Sequence, residues 1–115
     1  MSVDPFLIVK DEVIKSIAVA EKQLKKVKFS HGDNKNINEL STTLKSISLD
    51  LEDLEETVSI VEKDPEKFPV AFKELASRKI FVEQTNNKLN ALKAKLNDIT
   101  NDKFQVKIGK SNVRY

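Results

Sequence analysis

Between Asn36 and Asp64 the apolar residues fall at Ile37, Leu40, Leu44, Ile47, Leu51, Leu54, Val58 and Val61, at steps of 3, 4, 3, 4, 3, 4 and 3. An α-helix turns once in 3.6 residues, so this spacing lines all eight along one face. A strand would divide the same residues between two faces. The seam is of the heptad kind, which packs against other helices at a small left-handed crossing. Asn36 and Glu39 have capping-box spacing at its start. At its end, Pro65 disfavours helical geometry in the residue before it. A helix with one apolar face needs partners to bury it, so the rest of the chain must supply more seams.

Two more seams are present. The first begins at Asp4-Pro5-Phe6. Asp is a good N-cap, because its carboxylate accepts orphan backbone N–H groups. Pro suits the first helical position, where an N–H would be unpaired anyway. Phe6, Val9, Val13, Ile17, Ala20, Leu24 and Val27 then share a face that Ile14 widens. The pattern stops in the turn-forming run Phe29-Ser30-His31-Gly32-Asp33-Asn34. The last seam follows Pro69, a suitable first helical residue, and reads Phe72, Leu75, Val82, Leu89, Leu92, Leu96 and Ile99. Ala76 and Ile80 broaden it, and Arg78 and Thr85 interrupt it at positions where an apolar residue is due. A charged residue on a seam needs a paired carboxylate or an open groove. The two short connections force neighbouring helices antiparallel. The expected fold is all-α, an antiparallel up-down-up three-helix bundle with a left-handed twist. Its expected limits are residues 1–100, with 101–115 as a basic linker or tail.

Composition agrees with helices. Only 2 Gly and 3 Pro occur in 115 residues, and charged residues make up 33%, which suits helices with wet outer faces. There is no Cys, so disulfides and thiolate metal sites are excluded. No apolar run approaches the roughly 18 residues of a membrane span, and MSVDPFLIVK lacks the form of a signal peptide. A cytosol-facing domain is expected. The net charge is +2, of which residues 101–115 hold +3 and the other 100 hold −1. A near-neutral body with a basic tail is weak ground for nucleic-acid binding.

Reacting groups for catalysis are missing. His31 is the single His and sits in a Ser-His-Gly-Asp loop, where it reads as an exposed loop residue. No P-loop, dinucleotide-binding turn or nucleophile elbow occurs. The acids Asp50, Glu52, Asp53, Glu55 and Glu56 surround the seam residues Leu51 and Leu54, as a solvated helix face would, and they lack the spacing of a calcium loop. No cofactor, metal or catalytic residue is assigned, and the chain is read as a non-enzyme that binds other proteins.

Several stretches resemble one family. Asp4-Pro5-Phe6 with Val9-Lys10 and Glu12-Val13 resembles the start of syntaxin-6-type SNARE proteins. The run Leu51-Glu52-Asp53-Leu54-Glu55-Glu56-Thr57-Val58-Ser59-Ile60-Val61-Glu62 is similar to the second helix of their N-terminal Habc-like domain. Pro65, Lys67-Phe68, Glu74-Leu75 and Arg78-Lys79 continue the likeness into the third helix. It covers roughly residues 4–97 and is weakest between about 25 and 43. Ser48-Leu49 departs from it, since the family tends to carry an acidic residue and a tryptophan there. The resemblance implies a regulatory domain on the cytosolic face of the trans-Golgi network and endosomes. A SNARE helix and a C-terminal membrane anchor follow such a domain in the full-length protein. The partners implied are other SNARE proteins and a tethering-complex subunit peptide. A different reading is a stand-alone helical adaptor that offers Asp4-Pro5-Phe6 to a clathrin adaptor as a linear motif.

In an up-down-up bundle the start of the first helix, the end of the second and the start of the third meet at one pole. That pole collects Asp4, Pro5, Phe6, Lys10, Ser59, Glu62, Lys67, Phe68, Arg78 and Lys79. A partner peptide is expected between the first and third helices there. Phe6, Val9 and Phe72 would form the floor, Arg78 or Lys79 would meet an acidic or carbonyl group, and Lys10 is counted with the partner-binding residues of the same pole. Alternatively, Arg78 forms an internal ion pair with Glu55 or Glu62 that fixes helix register. The domain is expected to be monomeric, because three seams can bury one another.

Overall fold

The computed structural model describes residues 4–67, 70 and 72–108, with side chains of the last helix described as far as Asn101. Three helices run α1 (Pro5–Phe29), α2 (Asn34–Lys63) and α3 (Phe72–Ile108). They form the expected all-α three-helix bundle, elongated to 62 × 31 × 17 Å. All three helices touch one another, with α1 against α2 the most extensive pairing and α1 against α3 the least.

α1 starts as its sequence dictates. Asp4 is the N-cap, Pro5 is the first helical residue, and Asp4 Oδ1 accepts from the Phe6 N–H at 3.0 Å. At the other end, the Gly32 N–H donates to Val27 O and the His31 N–H to Lys28 O, at 2.9 and 3.2 Å. These two bonds make a Schellman motif, which closes the orphan carbonyls of the last turn. The motif needs left-handed backbone just past the cap, and His31 (φ 57°) and Gly32 (φ 82°) provide it. α2 begins two residues before Asn36. Its cap is Asp33, whose Oδ1 accepts from the Lys35 N–H at 2.7 Å. The Asn36–Glu39 capping box is therefore replaced by an earlier Asx cap at Asp33. Asp64 closes α2, and its Oδ1 accepts from the Lys67 N–H at 3.2 Å, which starts the turn toward α3.

The core follows the seams closely. Seven of the eight α2 seam residues are buried, and Ile37 packs partly buried against them. α1 buries Phe6, Val13, Ile17, Ala20, Leu24 and Val27, with Val9 partly buried beside them. Along α3 the inward positions are Leu75, Arg78, Val82, Thr85, Leu89, Leu92, Leu96 and Ile99. This is an unbroken 3-4 seam with two polar members, so Arg78 and Thr85 occupy the seam and do not interrupt it. Three expectations are corrected. Phe72 is 86% exposed and does not open the α3 seam. Ile80 and Ile14 are more than half exposed and widen nothing. Each lies off the face that the 3-4 spacing turns inward. Pro69 and Phe68 lie outside the described residues. α3 continues as helix to Ile108, past the residue-100 boundary read from the sequence.

Candidate partner-binding site

The pole where α1 begins, α2 ends and α3 begins is held by charge as well as by apolar contact. Arg78 is 7% exposed. Its Nε donates to Glu74 Oε2 at 2.8 Å, one turn earlier on α3, and its second guanidinium arm binds Asp4 Oδ2 at the start of α1. The guanidinium also lies over the Phe6 ring, 4.6 Å from its centroid, an attraction of cation and π-face. Phe6 is 1% exposed. The planar fork of arginine suits this role, since it reaches two carboxylates and covers a ring at once.

Burial on its own would push the Asp4 carboxyl up. The hydrogen bonds from Arg78 and the Phe6 N–H, with the Arg78 charge, outweigh it and hold the pKa below the usual aspartate value. Arg78 is therefore an internal ion pair, but its partners are Asp4 and Glu74, and neither Glu55 nor Glu62. Glu62 takes Lys79 instead, at 2.7 Å, and that pair is half exposed. The 100° turn between adjacent helical residues sends Arg78 to α1 and Lys79 to α2.

The six residues singled out from the sequence thus fall into three groups. Phe6 and Arg78 are buried and hold the pole together. Val9 and Lys10 are half-buried, with Lys10 Nζ 5.1 Å from the centroid of the Phe81 ring. Phe72 and Lys79 are exposed. Phe6, Val9 and Phe72 do not make one accessible floor, because Phe6 is covered by Arg78 and Phe72 faces solvent. The clefts run elsewhere. One of about 480 Å³ lies at the pole, with Asp4, Pro5, Ile60, Val61, Val70 and Arg78 on its walls. Another, of about 370 Å³, runs between α2 and α3 over Val58 and Val82, with Glu62 and Lys79 at its edge. Sequence reasoning missed Phe81, Asp33 and the second bond of Asp4. Phe81 adjoins a seam residue and could have been found by widening the seam; Asp33 is a local cap two residues from its donor, and the second bond of Asp4 depends on tertiary geometry. Among the described residues no group of three or more His, Cys, Asp or Glu is arranged to hold a metal ion. No helix of the described residues is long and apolar enough to cross a membrane.

The chain is thus a bundle of capped helices, with clefts between them and charge pairs across its pole. The family description "Syntaxin 6/10/61, N-terminal" matches residues 4–93. The chain belongs to that family, whose members are non-enzymatic SNARE proteins of membrane traffic. It is 37% identical to Syntaxin-6 of Rattus norvegicus over 99 residues, which is 78% of this chain and 39% of that protein. It is 35% identical to Syntaxin-6 of Gallus gallus over 104 residues, 83% of this chain and 41% of that protein. Syntaxin-10 of Homo sapiens is 37% identical over 99 residues, 78% of this chain and 40% of that protein. The chain spans about two fifths of the length of these relatives.

Proposed function

We propose that this chain is the regulatory and docking domain of a SNARE protein acting between the trans-Golgi network and endosomes. It binds SNARE partners or a tethering-complex subunit peptide on the cytosolic face and works as a monomer. Residues 1–100 form the body of the domain, and 101–115, whose first part continues α3 as helix to Ile108, serve as a basic linker or tail toward a SNARE helix and membrane anchor. The observation that carries this reading is the family match over residues 4–93. The partner engages the Asp4 pole. Lys79 and Phe72 meet it directly, Val9 and Lys10 meet it at the margin, and Phe6 and Arg78 hold the shape that it recognises.

The adaptor reading has less support. A linear motif must be extended and accessible, whereas Asp4 is engaged by Arg78 and the Phe6 ring is 1% exposed. A binding assay tests the proposal. Fluorescent peptides from SNARE helices and tethering-subunit termini are titrated into the wild-type chain and into Lys79→Glu and Phe72→Ser, with melting followed in parallel. Weaker binding by both variants at unchanged melting temperature is the expected result. Equal binding by all three proteins would remove the pole from the proposal.

A further inference from the structure

The net charge of +2 conceals a division along the long axis. The antiparallel packing sets Ile17 near Thr85 and Ser48 near Lys93, so a cut through Ile17 and Ser48 crosses α3 between Thr85 and Lys93, where the single charge, Lys88, is counted with the second half. The half holding the Asp4 pole comprises residues 4–17 and 49–84. It carries 7 Lys and Arg against 13 Asp and Glu, a net −6. The other half comprises residues 18–48 and 85–101. It carries 9 Lys against 4 Asp and Glu, a net +5. Residues 102–115, which follow from the positive half, add +3. The last turn of α1 places Lys26 and Lys28 beside Lys25, and Lys35 opens α2 just across the turn. All four are exposed. Lysine at a helix C-terminus also complements the helix dipole, but two in the last turn would suffice for that.

Phe29 ends α1 in the middle of this cluster and is 89% exposed. The Schellman turn after it is fixed by backbone bonds to Val27 and Lys28 and owes nothing to the Phe29 ring. A phenylalanine held in water among lysines has the chemistry of a contact with an anionic lipid surface. The ring enters the acyl boundary, and the ammonium groups meet phosphate and carboxylate headgroups. An acidic protein partner would use the lysines but would leave the tip ring without an apolar site.

We infer that the α1–α2 turn, with Phe29 at its tip and Lys25, Lys26, Lys28 and Lys35 around it, docks the domain on an anionic phospholipid membrane. The acidic pole then points away from the bilayer. This surface is separate from the partner site at the Asp4 pole, so each can fail while the other stands.

The chain contains no Trp, which makes Phe29→Trp a single reporter at the tip. The full chain is mixed with vesicles of phosphatidylcholine, with and without phosphatidylserine, at low and at physiological salt. The expected result is a blue shift of the Trp emission and co-sedimentation with phosphatidylserine vesicles only, weakening as salt rises. Phe29→Ser should lower vesicle affinity about fivefold or more, and Lys26→Glu with Lys28→Glu about tenfold or more, both at unchanged melting temperature. Leu49→Ser, which alters an exposed apolar residue of the acidic half, should change nothing. Absence of binding to phosphatidylserine vesicles would overturn the inference, as would binding indifferent to the Phe29 and Lys changes. Binding to a polyglutamate peptide without binding to vesicles would assign the lysines to an acidic protein and overturn it as well.

Discussion

Asp4 and Arg78, 74 positions apart in sequence, share a bond that ties the cap of the first helix to the third. One carboxylate serves both purposes, with Oδ1 on the Phe6 N–H and Oδ2 on the guanidinium. Asp4→Ala should cost about 1.5–2.5 kcal/mol, roughly one for the cap and the remainder for a pair whose acid is partly exposed. Asp4→Asn keeps the cap and should cost about half as much. The pH dependence has a definite sign. Because the folded-state pKa is lowered, this contribution is full above the usual aspartate value and fades as pH falls through the lowered one. Urea melts across the acid range, wild type against Asp4→Asn, should show a shallower acid loss in the variant.

Arg78 and Lys79 make opposite cases of neighbouring cations. Arg78→Ala strands Asp4 and Glu74 and uncovers the Phe6 ring, and should destabilise by about 2–4 kcal/mol. Lys79→Ala breaks a half-exposed pair with Glu62 and should stay within about 0.5 kcal/mol. Thermal melts of both variants check this. A larger loss at Lys79 would mean that the pole is organised from α2 and not from α1.

Leu51 and Leu54 are each 1% exposed, whereas Leu49 is 62% exposed. Leu51→Ala or Leu54→Ala should cost about 2–5 kcal/mol, and Leu49→Ala no more than about 0.5 kcal/mol. The midpoints of urea denaturation report the difference directly.

Asp50 stands in the opposite electrostatic position to Asp4. Burial first, then the charges of Glu12 on α1 and Asp53 on α2, raise its pKa. A carboxyl that is harder to ionise in the folded state weakens the fold wherever it is ionised. Asp50→Asn should therefore stabilise at neutral pH by about 0.2–1 kcal/mol at low salt. The gain should shrink as pH falls through the raised pKa, since Asp50 is then protonated in the wild type too. Equal stability of the two proteins at neutral pH and low ionic strength would contradict this account.

The three seams were legible because helical burial is periodic, and on α2 seven of the eight positions are buried and the eighth, Ile37, is partly buried. The α1 cap was legible because Asp-Pro acts within one turn. The start of α2 was less so, because Asp33 and Asn36 are both competent caps and only the course of the turn selects one. Arg78 shows the limit more clearly. Its seam position marked it as paired, but pairing partners are chosen by rotation of one helix against another, which spacing along one helix does not reveal. The charge division was present in the sequence and was lost by summing over the chain. The lysines of residues 22–28 and the acids of 50–56 largely cancel in a total and fall into opposite halves only after the chain has folded back on itself.

An odd number of passes has a geometric result of its own. α1 starts and α3 finishes at opposite ends of a body 62 Å long. A molecule gripped at the Asp4 end is thereby set off by the length of the bundle from anything joined to α3. With the partner site proposed above, the domain would act as a strut of fixed reach, its length as much as its surface deciding how far from that junction a captured partner is held.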